Sequence, residues 1–217
     1  MGAAVAIREA GISTPVGELA DLRFRALLST DAWAALPLAV RRRFSKRLID
    51  GDAVVYCGAV TAVRTNAAGR LLARVACLIG GPLPLVFEPG AAVVSVTEDR
   101  VGQGQVWTRL YARRTGFPQV IHSAKRFAGP TGLEEYVGAG VGMALTVAVE
   151  GATLVFRSDS YFATLLGRRL RLPRWAEPGR LTIEHRDLGG GAFAFTLTLD
   201  HPWLGRLMGQ DAIFRDA

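Results

Sequence analysis

The chain has 217 residues, half of them hydrophobic, and a formal net charge of +7 at pH 7. This length suits one domain and can bury a substantial core, so folding requires neither a disulfide framework nor a structural metal. Only two cysteines are present, without a CxxC or Cys/His cluster, which argues against zinc-finger and disulfide-rich classes and predicts a reduced, cytoplasmic setting.

The N-terminal region predicts a series of short helices. The segment VGELADLRFRALLS places its apolar side chains along one face, as an amphipathic helix does. A second helix, DAWAAL, is expected to be capped by Thr30 or Asp31, and a third to carry Pro37 in its first turn. The start of the chain has too short an apolar stretch for a secretory signal.

From about residue 51 the hydrophobic period changes to two, which predicts strands separated by glycine turns. One helix, expected at about 66–79, interrupts this pattern and ends at two glycines. A spacing of roughly ten to fifteen residues with glycine turns predicts an antiparallel meander. The expected strands are DAVVYCGAVTAVRT, AAVVSVTE, GQVWTRLYARR, FPQVIHSAKRF, GLEEYVG, GVGMALTVAVE, ATLVFRSDSYFA, GRLTIEHRDL and GAFAFTLTLD.

The expected fold class is α+β, with N-terminal short helices and a strongly curved antiparallel β-sheet or partly closed barrel. Closure is favoured because an open sheet of about nine strands would leave two exposed edges. We expect a flexible leader over 1–16 and a single domain over 17–217, with a helical cap over 17–50 and the sheet over 51–217. No uncharged run reaches the roughly 20 apolar residues that span a bilayer, so no transmembrane segment is expected.

The strand GQVWTRLYARR leaves open which of its faces points into the barrel. One face carries Trp107, Arg109 and Tyr111, and the other carries smaller side chains. If the large face points outward, its arginine is solvated; if it points inward, the arginine lies between two aromatic rings inside a cavity. A barrel of this size has room for large residues, and Glu135 on a later strand offers Arg109 a partner. We therefore expect the large face inside.

No GxSxG, HExxH, P-loop or dinucleotide-binding motif indicates a catalytic class. His185 is in phase with the apolar residues of its strand and is expected to point inward, and His122 is a second candidate for acid/base chemistry. Glu134 and Glu135 are adjacent on a strand, so only one can be inside; we expect Glu135, paired with a cation. His122, His185 and Glu135 are the catalytic candidates if the chain is an enzyme. A core histidine and a buried ion pair that fixes strand register are the structural alternatives.

The net charge comes almost wholly from arginine, since Lys46 and Lys125 are the only lysines. The run RRLRLPRW, residues 168–175, mixes basic and aromatic side chains and could meet phosphates or an anionic membrane surface. A solvated loop is the favoured interpretation, because no stacked series of aromatics accompanies it. An arginine-rich composition is also typical of a GC-rich genome, so no nucleic-acid partner is expected.

Several segments together resemble a family of bacterial proteins, domain of unknown function 4166. The resemblance covers nearly the whole chain after about residue 20, and it implies no assigned activity. Family members occur alone or fused to short-chain or saccharopine-dehydrogenase-like NAD(P)-binding domains, which implies a reductase as one partner. This sequence departs from the family pattern at His122 and Lys125. The matching segments are RFRALLSTDAWAALPLAVRRRF, VWTRLY, GLEEYVG, LGRRLRLPRW and HPWLGRLMGQDAIFR. The resemblance places Trp107, Arg109, Tyr111, Glu135, Pro173, His201, Pro202 and Gly205 in recurring motifs.

Three functions remain open on this scaffold, whose barrel is comparable in architecture to those of lipocalins or START-type proteins. The first is binding of a small, largely apolar ligand, lipid-like or polyketide-like, with Arg109 on a carboxylate or enolate oxygen and His185 or His122 offering a hydrogen bond. The second is a cofactor-independent isomerase, dehydratase or cyclase that uses the same cavity. The third is an accessory domain that docks an NAD(P)-dependent reductase. No metal or cofactor is expected. The ligand-binding candidates are Trp107, Arg109, Tyr111, Phe156, Phe193 and Phe195.

Overall fold

The computed structural model describes residues 21–49 and 51–216, and the leader expected over 1–16 lies outside them. The strands are β1 (Ala53–Thr65), β2 (Gly90–Asp99), β3 (Gly104–Tyr111), β4 (Gln119–Arg126), β5 (Glu134–Gly138), β6 (Val141–Glu150), β7 (Thr153–Leu165), β8 (Arg168–Arg171), β9 (Arg180–Gly189), β10 (Ala192–His201) and β11 (Gly205–Asp216). The helices are α1 (Arg23–Ala26), α2 (Thr30–Ala35), α3 (Leu38–Phe44) and α4 (Ala67–Val75).

The strands form a closed antiparallel barrel, which confirms the expected α+β class. Ten strands follow one another around it in the order β1 to β7, then β9, β10 and β11, and β11 pairs back to β1. The remaining strand, β8, extends the hairpin from the end of β7. Closure leaves the ladder of the ten barrel strands without a free edge, so the sheet is closed rather than partly closed.

Two strands, β8 and β11, are not predicted from the sequence. The run that contains β8 is expected to be a solvated loop, but Arg168–Arg171 pairs with the end of β7. Within β11, Gly209 is followed by the polar residues Gln210 and Asp211, which hide the period of two. The missed β11 is the strand that closes the barrel, through its ladders with β1 and β10.

The N-terminal helices are shorter than predicted. In the described part of the segment VGELADLRFRALLS, the only helix is the single turn of α1. The N-cap of α2 is Ser29 rather than Thr30 or Asp31, because Ser29 has an extended backbone and its Oγ accepts a hydrogen bond from the Ala32 N–H at 3.2 Å. Pro37 is the N-cap of α3 and does not lie in its first turn.

The inserted helix is confirmed as α4, followed by a 3-10 turn over Ala76–Ile79. The Asn66 side chain caps α4 by accepting a hydrogen bond from the Gly69 N–H at 2.8 Å. Gly69 lets α4 lie directly on β11, because a Cβ at this position would collide with the Leu207 carbonyl. Within the described ranges, no helix is long and apolar enough to cross a bilayer.

Each end of the barrel is covered by a different part of the chain. We call the end where β1 and β3 begin the cap end, because residues 21–48 cover it. We call the opposite end, where β1 ends and β11 begins, the helix end, because α4 covers it. Phe24 anchors the cap: its ring centroid lies 5.1 Å from that of Phe44, 4.8 Å from Phe127 and 6.2 Å from Phe156.

We predict that Phe24→Ala lowers the free energy of unfolding by about 3–5 kcal/mol, because a buried ring is replaced by a cavity inside the barrel. Urea denaturation of the full chain measures this change. Leu22→Ala is the matched control, since Leu22 is 57% exposed on the neighbouring turn and its loss should cost less than about 0.5 kcal/mol. Equal effects of the two substitutions would show that the cap is not part of the core.

Candidate functional site

A cavity lies inside the barrel at its cap end, beneath residues 43–48. The centre of a water molecule can reach about 50 Å³ of the cavity. The total volume without atoms, which includes the opening towards solvent, is about 900 Å³. Most of the lining is aromatic or aliphatic, as in sites for small organic molecules. The apolar walls include Tyr56, Val94, Phe156, Phe193, Phe195 and Phe214.

The large face of β3 points into this cavity. Trp107, Arg109 and Tyr111 all line it, together with Gln105 from the same face. The orientation is therefore the one expected from pairing with Glu135. That these side chains bind a ligand stays a prediction.

A cluster of charged side chains lies at one part of the cavity wall, where Arg109 and Lys125 line the cavity and Glu135 is buried against both. Glu135, on β5, is 3% exposed, and its Oε2 lies 3.0 Å from Lys125 Nζ while its Oε1 lies 3.5 Å from Arg109 Nη2. Arg109 also donates a hydrogen bond to Ser123 Oγ at 3.0 Å. Burial alone would raise the pKa of Glu135, but the charges of Lys125 and Arg109, with hydrogen bonds from Ser123 and Lys125, lower it to about 2.

When Lys125 is protonated, the cluster has one more positive than negative charge, because two cations share a single carboxylate. Burial lowers the pKa of Lys125 from its usual range and the neighbouring Arg109 lowers it further, while Glu135 acts in the opposite direction. Lys125 Nζ also lies 5.0 Å from the ring centroid of Trp107. A second anion placed here would restore the charge balance in a region where charges are weakly screened.

His185 lies on the opposite wall and points inward, as expected. Its ring stacks at 4.4 Å on Phe193 and packs edge-on against Phe44 at 5.2 Å. Burial, and then the charge of Arg43, lowers the pKa of His185 to about 3, so the ring is neutral at physiological pH. Among the described residues, its Nε2 atom and the Trp107 Nε1 atom are buried without a hydrogen-bond partner. Both polar atoms belong to residues that line the cavity.

His122 does not lie in the cavity. It is exposed on the outer face of β4, where its Nδ1 atom is 3.0 Å from Thr108 Oγ1. The alternation along β4 places Ile121, Ser123 and Lys125 inside instead. The expectation that His122 offers a hydrogen bond to a cavity ligand, or meets His185 and Glu135 there, is therefore wrong.

Both adjacent glutamates are buried, and only Glu135 lies on the inner side of the sheet, as expected from the alternation. Glu134 points away from Glu135 and is fully buried on the outer side of the sheet. Arg169 of β8 places its Nη2 atom 2.5 Å from Glu134 Oε1, and the Tyr136 hydroxyl donates to Glu134 Oε2 at 3.0 Å. The hairpin of β7 and β8 thus covers a carboxylate that would otherwise be solvated.

Several polar residues of the cavity are not predicted from the sequence. Lys125 is noted only as a departure from a family pattern, although its phase with Ile121 could have indicated an inward position. Arg43, in the cap, lies 3.3 Å from Asp187 and 4.4 Å from the ring centroid of Phe193. No local pattern predicts that contact, since it joins the cap to β9 and β10. In residues 21–49 and 51–216, no group of three or more His, Cys, Asp or Glu is placed to hold a metal ion.

The family model described as domain of unknown function DUF4166 matches residues 36–214. This range contains nearly all of α3 to β11, whereas the segment RFRALLSTDAWAA lies outside it. No curated protein and no solved structure matches the chain.

We predict an acid-sensitive contribution to stability from Glu135. Its pKa of about 2 in the folded chain lies below the ordinary value of 4.5, so the stabilisation is complete above pH 4.5 and is lost as the pH falls towards 2. The shift corresponds to about 3 kcal/mol. Glu135→Gln should remove this pH dependence and lower the free energy of unfolding at neutral pH by about 3–5 kcal/mol, because Arg109 and Lys125 lose their counter-charge.

Urea denaturation across this pH range measures both effects. Glu150→Gln is the matched control, since Glu150 forms an exposed pair with Arg157 and its loss should cost less than about 1 kcal/mol. The same pH dependence in wild type and Glu135→Gln would contradict the assignment.

We also predict that His185 stays neutral well below pH 6.5, because protonation would place an uncompensated charge among Phe44, Phe193 and Arg43. ¹⁵N NMR of the imidazole ring at about pH 5 should show a neutral tautomer for this residue. His185→Gln identifies its signal. A midpoint near 6.5 would show that water reaches the ring freely.

Proposed function

The chain belongs to the DUF4166 family, and from the cavity of its barrel we propose that it binds a small, largely apolar molecule that carries one acidic oxygen group. The excess positive charge beside Glu135 carries this proposal. A carboxylate or enolate would balance the charge, and the aromatic and aliphatic walls would hold a lipid-like or polyketide-like body.

Each wall of the cavity has a part in this binding. Arg109 and Lys125 attract the acidic oxygen, and the free indole N–H of Trp107 donates to the same group or to a neighbouring one. Tyr111 flanks the ligand, and Phe156, Phe193 and Phe195 pack against its apolar body. His185 accepts or donates one hydrogen bond through Nε2 at the opposite wall.

A proton-transfer enzyme is the second candidate, favoured by the neutral imidazole of His185 with its free Nε2 atom. His185 would take a proton from carbon next to a carbonyl group, and Arg109 with Lys125 would stabilise the developing enolate. Two observations favour simple binding. Glu135 is ionised and held by two cations, and the pKa of His185, about 3, makes it a weak base.

The binding proposal is tested with fatty acids of six to sixteen carbons, their alcohols of equal length, and aromatic polyketides. Native mass spectrometry of the full chain, after solvent extraction, detects retained and added ligands. We expect each acid that fits to bind at least roughly tenfold more tightly than its alcohol, because one charge-assisted hydrogen bond contributes about 1.5–3 kcal/mol. The absence of any complex, or equal binding of acids and alcohols, would overturn the proposal.

Substitution of one of the two cations beside Glu135 tests acid binding without a large loss of fold stability. Arg109→Met and Lys125→Met each leave one cation paired with Glu135, so the cluster becomes neutral and the fold should keep its stability. Binding of the acids should weaken roughly 10- to 100-fold, and binding of the alcohols should change little. Arg157→Met is the control, since Arg157 pairs with Glu150 outside the cavity. Calorimetric titration gives the dissociation constants, and unchanged acid affinity in both cavity variants would contradict the charge argument.

The two histidines provide a matched test of the enzyme candidate. Once a bound molecule is identified, its conversion is followed by mass spectrometry with wild type, His185→Ala and His122→Ala. Loss of conversion in His185→Ala alone would support catalysis, because only that ring lines the cavity. If wild type leaves the molecule unchanged, or if both variants convert it as wild type does, His185 is not a catalytic base.

A further inference from the structure

The helix end of the barrel presents large apolar side chains to solvent on several separate turns. Trp203 is 78% exposed in the turn between β10 and β11, and Leu166 is 95% exposed at the tip of the hairpin of β7 and β8. Trp175, in a 3-10 turn over Arg174–Ala176, is 75% exposed, and Leu78, in the 3-10 turn after α4, is 85% exposed. Phe117, in the loop after β3, is 90% exposed. Single exposed apolar residues are common in proteins, but a set gathered at one end of a barrel is not.

Direct contacts join four of these turns into one continuous rim. The turn that carries Trp203 contacts the start of α4, and the 3-10 turn that ends α4 packs on the turn between β5 and β6. That turn bonds to the end of β7, and the segment after Trp175 returns to the end of β10. The joining contacts are Asn66 Nδ2 to Leu204 O (3.0 Å), Thr164 N to Gly140 O (2.9 Å), the Ile79 carbonyl against Gly138, and the Asp200 carbonyl against Gly179.

The same rim carries an excess of exposed arginines. Arg168, Arg171 and Arg174 lie on and after the β7 and β8 hairpin, and Arg70 and Arg74 lie on α4. In the part of the chain that the structure describes, none of the five forms an ion pair. Other arginines at the same end do form pairs: Arg206 with Asp200, Arg114 with Glu88 and Arg169 with Glu134. Positive charge is therefore interleaved with the exposed tryptophans and leucines.

We propose that the helix end docks on the surface of an anionic lipid bilayer. Tryptophan and leucine side chains on protruding turns insert at the level of the lipid headgroups, and arginines between them meet the anionic groups. Tryptophan and arginine are also enriched at protein interfaces, but the exposed apolar side chains here stand on separate turns and do not form one patch. That spacing suits insertion among lipid headgroups better than it suits a packed interface core. The arginine run that the sequence analysis favours as a solvated loop is assigned a binding role here.

Docking in this orientation keeps the cavity away from the bilayer. The cavity lies at the cap end beneath Arg43 to Leu48, whereas the rim is at the opposite end. The cap end would face the aqueous phase while the protein is docked, so ligand exchange through the cap would remain open. Docking and ligand binding are therefore expected to be separable by substitution.

Flotation of the full chain with phosphatidylcholine vesicles, with and without about 30% phosphatidylserine, tests the proposal. We expect flotation only with the anionic vesicles and its loss at about 0.5 M salt, where exposed charges are screened. A triple variant should weaken partitioning onto the anionic vesicles roughly 100-fold, because each arginine near the surface contributes about 1 kcal/mol. This variant combines Arg168→Gln, Arg171→Gln and Arg174→Gln. The control variant makes the same charge change away from the rim and should weaken this partitioning less than about threefold. It combines Arg25→Gln, Arg42→Gln and Arg186→Gln.

Tryptophan fluorescence locates the contact. Brominated lipids should quench the wild type, and Trp175→Phe with Trp203→Phe should abolish this quenching while flotation persists. Equal loss in the two arginine variants would show non-specific charge attraction and overturn the proposal. It is also overturned if the vesicles bind nothing, or if light scattering shows a dimer that the substitutions Trp175→Ala and Trp203→Ala dissociate.

Discussion

A buried lysine, a partly buried arginine and a buried carboxylate meet inside this barrel, and the arrangement of the cavity depends on them. Glu135 binds Lys125 from the adjacent strand and Arg109 from the strand beyond it, so three neighbouring strands are joined through a single side chain. A charge inside an apolar barrel is costly unless it is paired. With both cations charged, the pairing is incomplete by one negative charge, and this deficit is the property on which the proposed function depends.

The rest of the barrel holds that cluster in place and keeps water from it. Closure through β11 removes the free edges, and the cap inserts Phe24 and Phe44 against Phe156. A closed barrel of this kind restricts the positions of Arg109 and Trp107, which would reduce the entropy lost in the proposed binding of a ligand. The two ends of the barrel then differ in role: one covers the cavity, and the other exposes tryptophans and arginines.

The sequence predicts this architecture where the information is local. Alternation, glycine turns and helix periodicity identify nine strands and the inserted helix, and the pairing of Arg109 with Glu135 gives the orientation of β3. Prediction fails where a side chain is held by a distant segment. On β4, alternation leaves His122 open as a cavity residue, yet Gln119 and Lys125 point inward because Gln119 bonds to the backbone of Leu83 and Leu85, and Lys125 to Glu135. Likewise, β8 forms where Arg169 reaches Glu134, a contact across the outer face that no local pattern announces.

The charge deficit of the cluster can be measured directly with a bound acid. Decanoic acid labelled with ¹³C at its carboxyl carbon reports its own ionisation by NMR, free and in complex with the full chain. If the carboxylate lies beside Arg109 and Lys125, its pKa must fall below its value in water, and the bound signal should stay that of the anion at about pH 4. A bound carboxyl group that titrates as it does in water, or that becomes neutral at higher pH, would contradict the central claim that the cavity is built to take an anion.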